Sequence, residues 1–169
     1  MLPRTLRNYS LFMDGVGFAG RITELTPPTL GIQAEEYRGG GMDAPVEIDM
    51  GMEALEMSFT LAEYDVDVLK QFGLYDQNAT QFTVRGALQR NGSEDAVSVV
   101  INVTGHIKSF DPGAFEAGAL TEANFTVGCR YYKVAIANEE LIEIDIENFK
   151  RIVNGTDQLA SLREAMGID

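Results

Sequence analysis

Tryptophan is absent from this sequence, and cysteine and histidine occur once each, as Cys129 and His106. A single cysteine cannot close an intramolecular disulfide, and one cysteine with one histidine is too few ligands for a structural zinc site. No run approaches the roughly 20 apolar residues of a membrane-spanning helix. The opening Met1-Leu2-Pro3-Arg4-Thr5 lacks the apolar stretch of a signal peptide. These absences predict a chain without a membrane anchor, made and kept in the cytosol until assembly or lysis.

Bases are missing where acids are densest. Residues 39–69 hold eight acids and no Lys or Arg, and residues 134–149 hold five acids and no base. These two segments account for the whole net charge of −13. Nucleic-acid ligands are held by Lys and Arg that neutralise phosphates, so this balance argues against nucleic-acid binding. With 45% hydrophobic residues, the 169-residue chain is long and apolar enough for a single domain over 1–169 with its own core.

What the sequence does have is a period of two. Val46, Ile48, Met50 and Met52 alternate with Glu47, Asp49, Gly51 and Glu53. The phase then slips to Leu55, Met57, Phe59 and Leu61, which predicts a bulge or break near Glu53-Ala54. Phe82 to Leu88 and Val97 to Val103 flank Asn91-Gly92, a hairpin signal; another hairpin is predicted at Asp14-Gly15. Phe125 to Tyr131 and Ile142 to Ile146 alternate likewise. Two short helices interrupt the strands. One is capped by Asp65 and ended by Gly73; the other is capped by Thr156, carries Leu159, Leu162 and Met166, and stops at Gly167. The fold class that follows is mainly β, a barrel or sandwich with two short peripheral α-helices. Arg38-Gly39-Gly40-Gly41-Met42 stands out as a flexible tip or a place of close backbone contact.

No catalytic pattern survives inspection. Gly15-Val16-Gly17-Phe18-Ala19-Gly20 matches the dinucleotide-binding spacing, but that motif must open a helix, and here Thr26-Pro27-Pro28 soon follow. His106 has no G-x-S-x-G nucleophile to serve. The acids fall in rows on alternate strand positions, as on a wet sheet face, rather than as a convergent pair. Cys129 lies on the apolar phase of its strand and reads as core. No cofactor or metal is expected, and no enzymatic activity.

Several stretches resemble the major tail tube proteins of contractile-tailed phages and R-type pyocins. They are Leu11-Phe12-Met13-Asp14-Gly15 with Phe18-Ala19-Gly20; Glu36 to Val46, continuing to Asp49-Met50-Gly51 and Ala54-Leu55-Glu56-Met57; Tyr131-Tyr132-Lys133; Glu143-Ile144-Asp145; and Asn154 to Leu159. Their order follows the family from end to end. The resemblance implies a tail-tube-type barrel or sandwich that forms homohexameric rings stacked into a hollow tube. Implied partners are the tail sheath protein, the baseplate and the tape-measure protein. DNA would pass through the lumen of a phage tail without specific binding. The implied location is a phage virion tail or a bacteriocin particle. On this reading Glu47, Asp49, Glu143 and Asp145 are candidates for an acidic lumen. Arg38, Gly39, Gly40, Gly41, Met42 and Asp43 are candidates for inter-subunit contact. The alternatives are a soluble β-sandwich binding module, for which the missing tryptophan is unfavourable, and a hydrolase using paired acids.

Overall fold

The computed structural model describes residues 1–74 and 79–168. Long β-branched and aromatic runs become long strands. β8 (Ala96–Asp111) and β9 (Ala123–Ile136) pair antiparallel and form the spine of the molecule. β7 (Thr80–Arg90) lies against β8, and β1 (Arg4–Met13) against β7, with the short β2 (Val16–Gly17) at that edge. The free edge of β9 is shared. Its first half pairs with β6 (Glu56–Leu61), which carries β3 (Ile22–Thr26). Its second half pairs with β10 (Glu139–Asp145), followed by β11 (Lys150–Val153) and β12 (Thr156–Asp157). The fork sits at Cys129 and Arg130. The N–H of Cys129 donates to the carbonyl of Leu55, and the N–H of Ile146 donates to that of Arg130.

The β3–β6 branch curls over the sheet. Phe59 on β6 and Phe82 on β7 are three strands apart along the ladder, yet their ring centroids are 5.8 Å apart. At about 4.8 Å between strands, a flat sheet would hold them far out of contact. Phe59 also stacks on Phe125, and Phe125 on Phe110, both at 5.1 Å. Backbone bonds from Phe18 to Leu11, Ile22 to Phe18 and Ala62 to Arg21 tie β1 to the β3 side. The result is a partly closed barrel around Leu11, Met57, Phe59, Leu61, Phe82, Val103, Ile107, Phe125 and Val127, all buried. Each large side chain so buried stabilises the fold by about 1.5–3 kcal/mol. Cys129 belongs to this core, and burial pushes its thiol up to about 11.

β4 (Ile32–Tyr37) and β5 (Val46–Met52) pair only with each other, as a separate hairpin. The phase slip near Glu53-Ala54 is therefore a break: the chain leaves one sheet at Met52 and enters another at Glu56. Asp14 and Gly15 both take positive φ, as a two-residue hairpin turn requires. Asn91-Gly92 opens a longer connection, residues 91–95, in which Gly92 alone has positive φ.

The first helix, α1 (Val66–Leu69), is capped as predicted: the Asp65 carboxylate accepts from the N–H groups of Asp67 and Val68. The second, α2 (Ala160–Met166), ends at Gly167 in the left-handed region, also as predicted. Its start differs. Asn154 and Gly155 form a two-residue turn that returns Thr156 to pair with Val153, so Thr156 is a strand residue and caps nothing. Asp157 instead accepts from the N–H of Leu159 at 3.0 Å and pairs with Arg163.

Candidate assembly surfaces

Polar strand positions alternate with core positions, so each sheet in this chain has two chemically different faces. In the β4–β5 hairpin, Tyr37 lies opposite Val46 and Glu35 opposite Ile48, all on one face. Glu36 lies opposite Glu47 and Ala34 opposite Asp49 on the other. The first face is mostly apolar and the second acidic. Both are open, with Tyr37, Val46, Ile48 and Met50 about half exposed.

The hairpin tip is a turn closed by its own bonds. The N–H of Met42 donates to the carbonyl of Gly39 at 3.2 Å, and Arg38 Nε to the carbonyl of Met42 at 3.1 Å. The Gly39 N–H points at Met42 Sδ, 3.1 Å away. Gly41 needs its positive φ of 86°. A side chain on Gly39 would press on the Tyr37 hydroxyl, whereas one on Gly40 would point into open space. Asp43 follows, exposed.

Glu143 and Asp145 share one face of β10. In register beside them stand Tyr131 and Lys133, then Asn102 and Thr104, then Gln81 and Thr83, with Arg85 and Ser10 farther along. This face is mostly polar, with Phe12 opposite Thr83, Val100 opposite Arg85 and Ile152 opposite Glu143 as apolar members. Glu140 joins the acids and pairs with Lys133 at 2.5 Å. Tyr131 donates its hydroxyl to Glu143 at 3.1 Å, and burial followed by that carboxylate pushes the phenol up to about 12. Asp145 accepts from the backbone and side-chain amides of Asn148, which fixes the β10–β11 turn.

Glu47 and Asp49 sit elsewhere. Asp49 pairs with Arg151 at 2.8 Å, and Arg151 lies opposite Ile144, on the core side of β10. The N–H of Gly51 and then Arg151 hold the Asp49 carboxylate below its ordinary range. Within one subunit the two predicted acidic pairs therefore lie on opposite sides of the sheet. Beside Asp49 a groove of about 960 Å³ opens between the hairpin base, β10 and α2, lined by Met50, Met52, Leu55, Ile144, Leu162 and Met166.

Sequence periodicity marked the acidic rows. It missed the Tyr131–Glu143 bond and the Asp49–Arg151 pair, whose partners are distant in the chain. His106 stands next to Gly128 on β9.

Residues 3–167 match the family of phage tail tube protein FII. The tail tube protein of Escherichia phage P2 is 30% identical over 170 residues, covering 99% of both chains. The major tail tube protein of Serratia phage KSP20 is 30% identical over 150 residues, covering 88% of this chain and 86% of its own. The fold is shared with the sheath–tube complex of the extracellular contractile injection system PVC (TM-score 0.58, 11% identity, 79% of this chain and 90% of that one). It is shared also with the tube-terminating cap of the anti-feeding prophage (TM-score 0.61, 11% identity, 80% and 92%). A match over nearly the whole chain shows that the chain belongs to the phage tail tube protein FII family and is a structural protein, not an enzyme.

Proposed function

We propose that this chain is the inner-tube subunit of a contractile phage tail or tail-like bacteriocin, forming homohexameric rings that stack into a hollow tube. The observation that carries this reading is the outward face of the main sheet, which presents mainly polar side chains across β1, β7, β8, β9 and β10 while the opposite face holds the core. A sheet wet on one side across five strands suits the wall of a water-filled channel. The sheath–tube neighbour supports a tail sheath protein as the outer partner; baseplate and tape-measure proteins are the further partners this reading proposes.

In this arrangement Glu143 and Asp145 line the lumen, with Glu140 paired to Lys133, Lys150 directly opposite Asp145, and Arg85 farther along the same face. The lining is close to charge balance, repeated by every copy, so it offers no excess of base to hold phosphates. Glu47 and Asp49 fall outside this lining, because their hairpin lies on the other side of β10.

Assembled tubes carrying Glu143→Lys with Asp145→Lys test this. They should retain double-stranded DNA at low salt, whereas Glu47→Lys with Asp49→Lys should retain no more than the unmodified tube. DNA retention only in the second pair would reverse the assignment of the lumen face. A chain that stays monomeric at every concentration and salt, with no rings or tubes by electron microscopy, would overturn the tube reading itself.

A further inference from the structure

The main sheet is longer than the layer that covers it. β3 and β6 pack over the half that ends at Phe82 and Phe125. On the same face, the other half continues without a cover. Leu6 lies opposite Leu88, and Leu88 opposite Val97; Val99 lies opposite Ile136; Val134 lies opposite Ile142, and Ile142 opposite Val153. Leu6 is 54% exposed and Val153 41%, and the others are only partly buried. An apolar strip thus crosses six strands, with Val99, Val134 and Ile142 packed against the margin of the core and Leu6 and Val153 left open at its ends.

The strip ends in positive charge. Arg4 stands directly opposite Arg90 on this face. Like charges in that position repel, and neither side chain pairs with a carboxylate among the described residues. The Nε of Arg90 is buried with no acceptor. A buried donor left in this way costs roughly 1–3 kcal/mol, which a partner bringing a carboxylate would relieve.

The same molecule carries a matching piece. The apolar face of the β4–β5 hairpin presents Tyr37, Val46 and Ile48, together with Glu35. Glu35 likewise has no ion pair among the described residues. We infer that the hairpin of one copy lies on the uncovered half-sheet of the next, completing its sandwich, with Glu35 delivered to Arg4 and Arg90. This rests on the tube reading above and names the surfaces that join its copies. Six strands at about 4.8 Å span roughly 24 Å, and a six-residue strand is about 20 Å long, so the sizes agree. Because the two surfaces differ, the contact is head-to-tail. Such contacts close into rings or run on as filaments.

Thiol cross-linking in tubes assembled from mixed chains tests the inference. One chain carries Ile48→Cys; the other carries Leu6→Cys, Leu88→Cys or Val97→Cys, so any bond between the two must join copies. Cys129 is buried and serves as the background control. A short bismaleimide should link the Ile48→Cys chain to at least one of the three, while unmodified tubes stay unlinked. Ile48→Asp should leave the melting temperature of the free subunit within a degree or two and raise the concentration needed for assembly at least tenfold. Tubes that form normally from Ile48→Asp chains, or that give no link in any of the three mixtures, would overturn this contact while leaving the tube reading intact. Absence of tubes from the unmodified chain would instead overturn the tube reading and this contact with it.

Discussion

Gly105 lies at a register shift between β8 and β9, beside Thr104. A Cβ there would overlap the Gly128 carbonyl oxygen, which is backbone and cannot swing aside. Gly105→Ala should therefore destabilise the subunit by about 1–3 kcal/mol, the usual cost of overpacking. It should appear as a lower urea midpoint at unchanged slope. Tyr131 supplies a pH prediction. Its proton is held more tightly in the folded chain than at the ordinary value of 10.0, with the folded group at about 12. The folded state thus binds more protons across that interval, and stability falls as pH rises from 10.0 toward about 12. Tyr131→Phe should flatten that part of a melting-temperature-versus-pH curve. An unchanged slope would assign the alkaline loss to other groups.

At the scale of elements, the hairpin and the capped turn behave differently. Asp65 closes α1 by bonds to two backbone N–H groups, so Asp65→Ala should cost about 1 kcal/mol in chemical denaturation. The hairpin tip closes on its own bonds. Hydrogen exchange at residues 38–46 is expected to be fast in the free subunit and slow in the tube, since ordering by a neighbour must offset roughly 1–2 kcal/mol per residue. Gly40 opens toward space, so Gly40→Val should block assembly without unfolding the subunit. Equal exchange in both states, or a variant that unfolds as a monomer, would make the glycines part of an internal turn only. The elements themselves were largely legible. Alternation located the strands, and the break at Glu53-Ala54 announced a change of sheet. What stayed hidden was local competition. Thr156 looks like a cap, but Asn154-Gly155 just before it makes a tighter turn. Ala137 and Asn138, both at positive φ, turn β9 into β10 although alanine gives no turn signal.

The molecule as a whole carries a charge of −13 and must meet copies of itself. Long-range repulsion opposes that approach and is screened by salt. Assembly, followed by light scattering, should accordingly need less protein as ionic strength rises from about 0.01 M to about 0.15 M, the range over which the Debye length falls from roughly 30 Å to 8 Å. A threshold that rises with salt would mean that Arg–Glu contacts between copies outweigh the net repulsion. From sequence the acids seemed one population, because charge runs carry no information about which side of a sheet they occupy. The Asp49–Arg151 ion pair, with Arg151 opposite core-facing Ile144, separates them: Glu143 and Asp145 on the wet face, Asp49 and its hairpin across the sheet.

The fork in the edge of β9 also sets how the subunit bears load. One strand serves as a common beam for two branches, so a push on β10 to β12 reaches the β3–β6 arch without crossing a flexible loop. The beam's other edge is laced to β8 along most of its length, and hydrogen bonds arranged this way share shear instead of failing one at a time. A tube built of such girders would stay stiff along its axis and yield first at the joints between copies, where neighbouring girders meet through side chains.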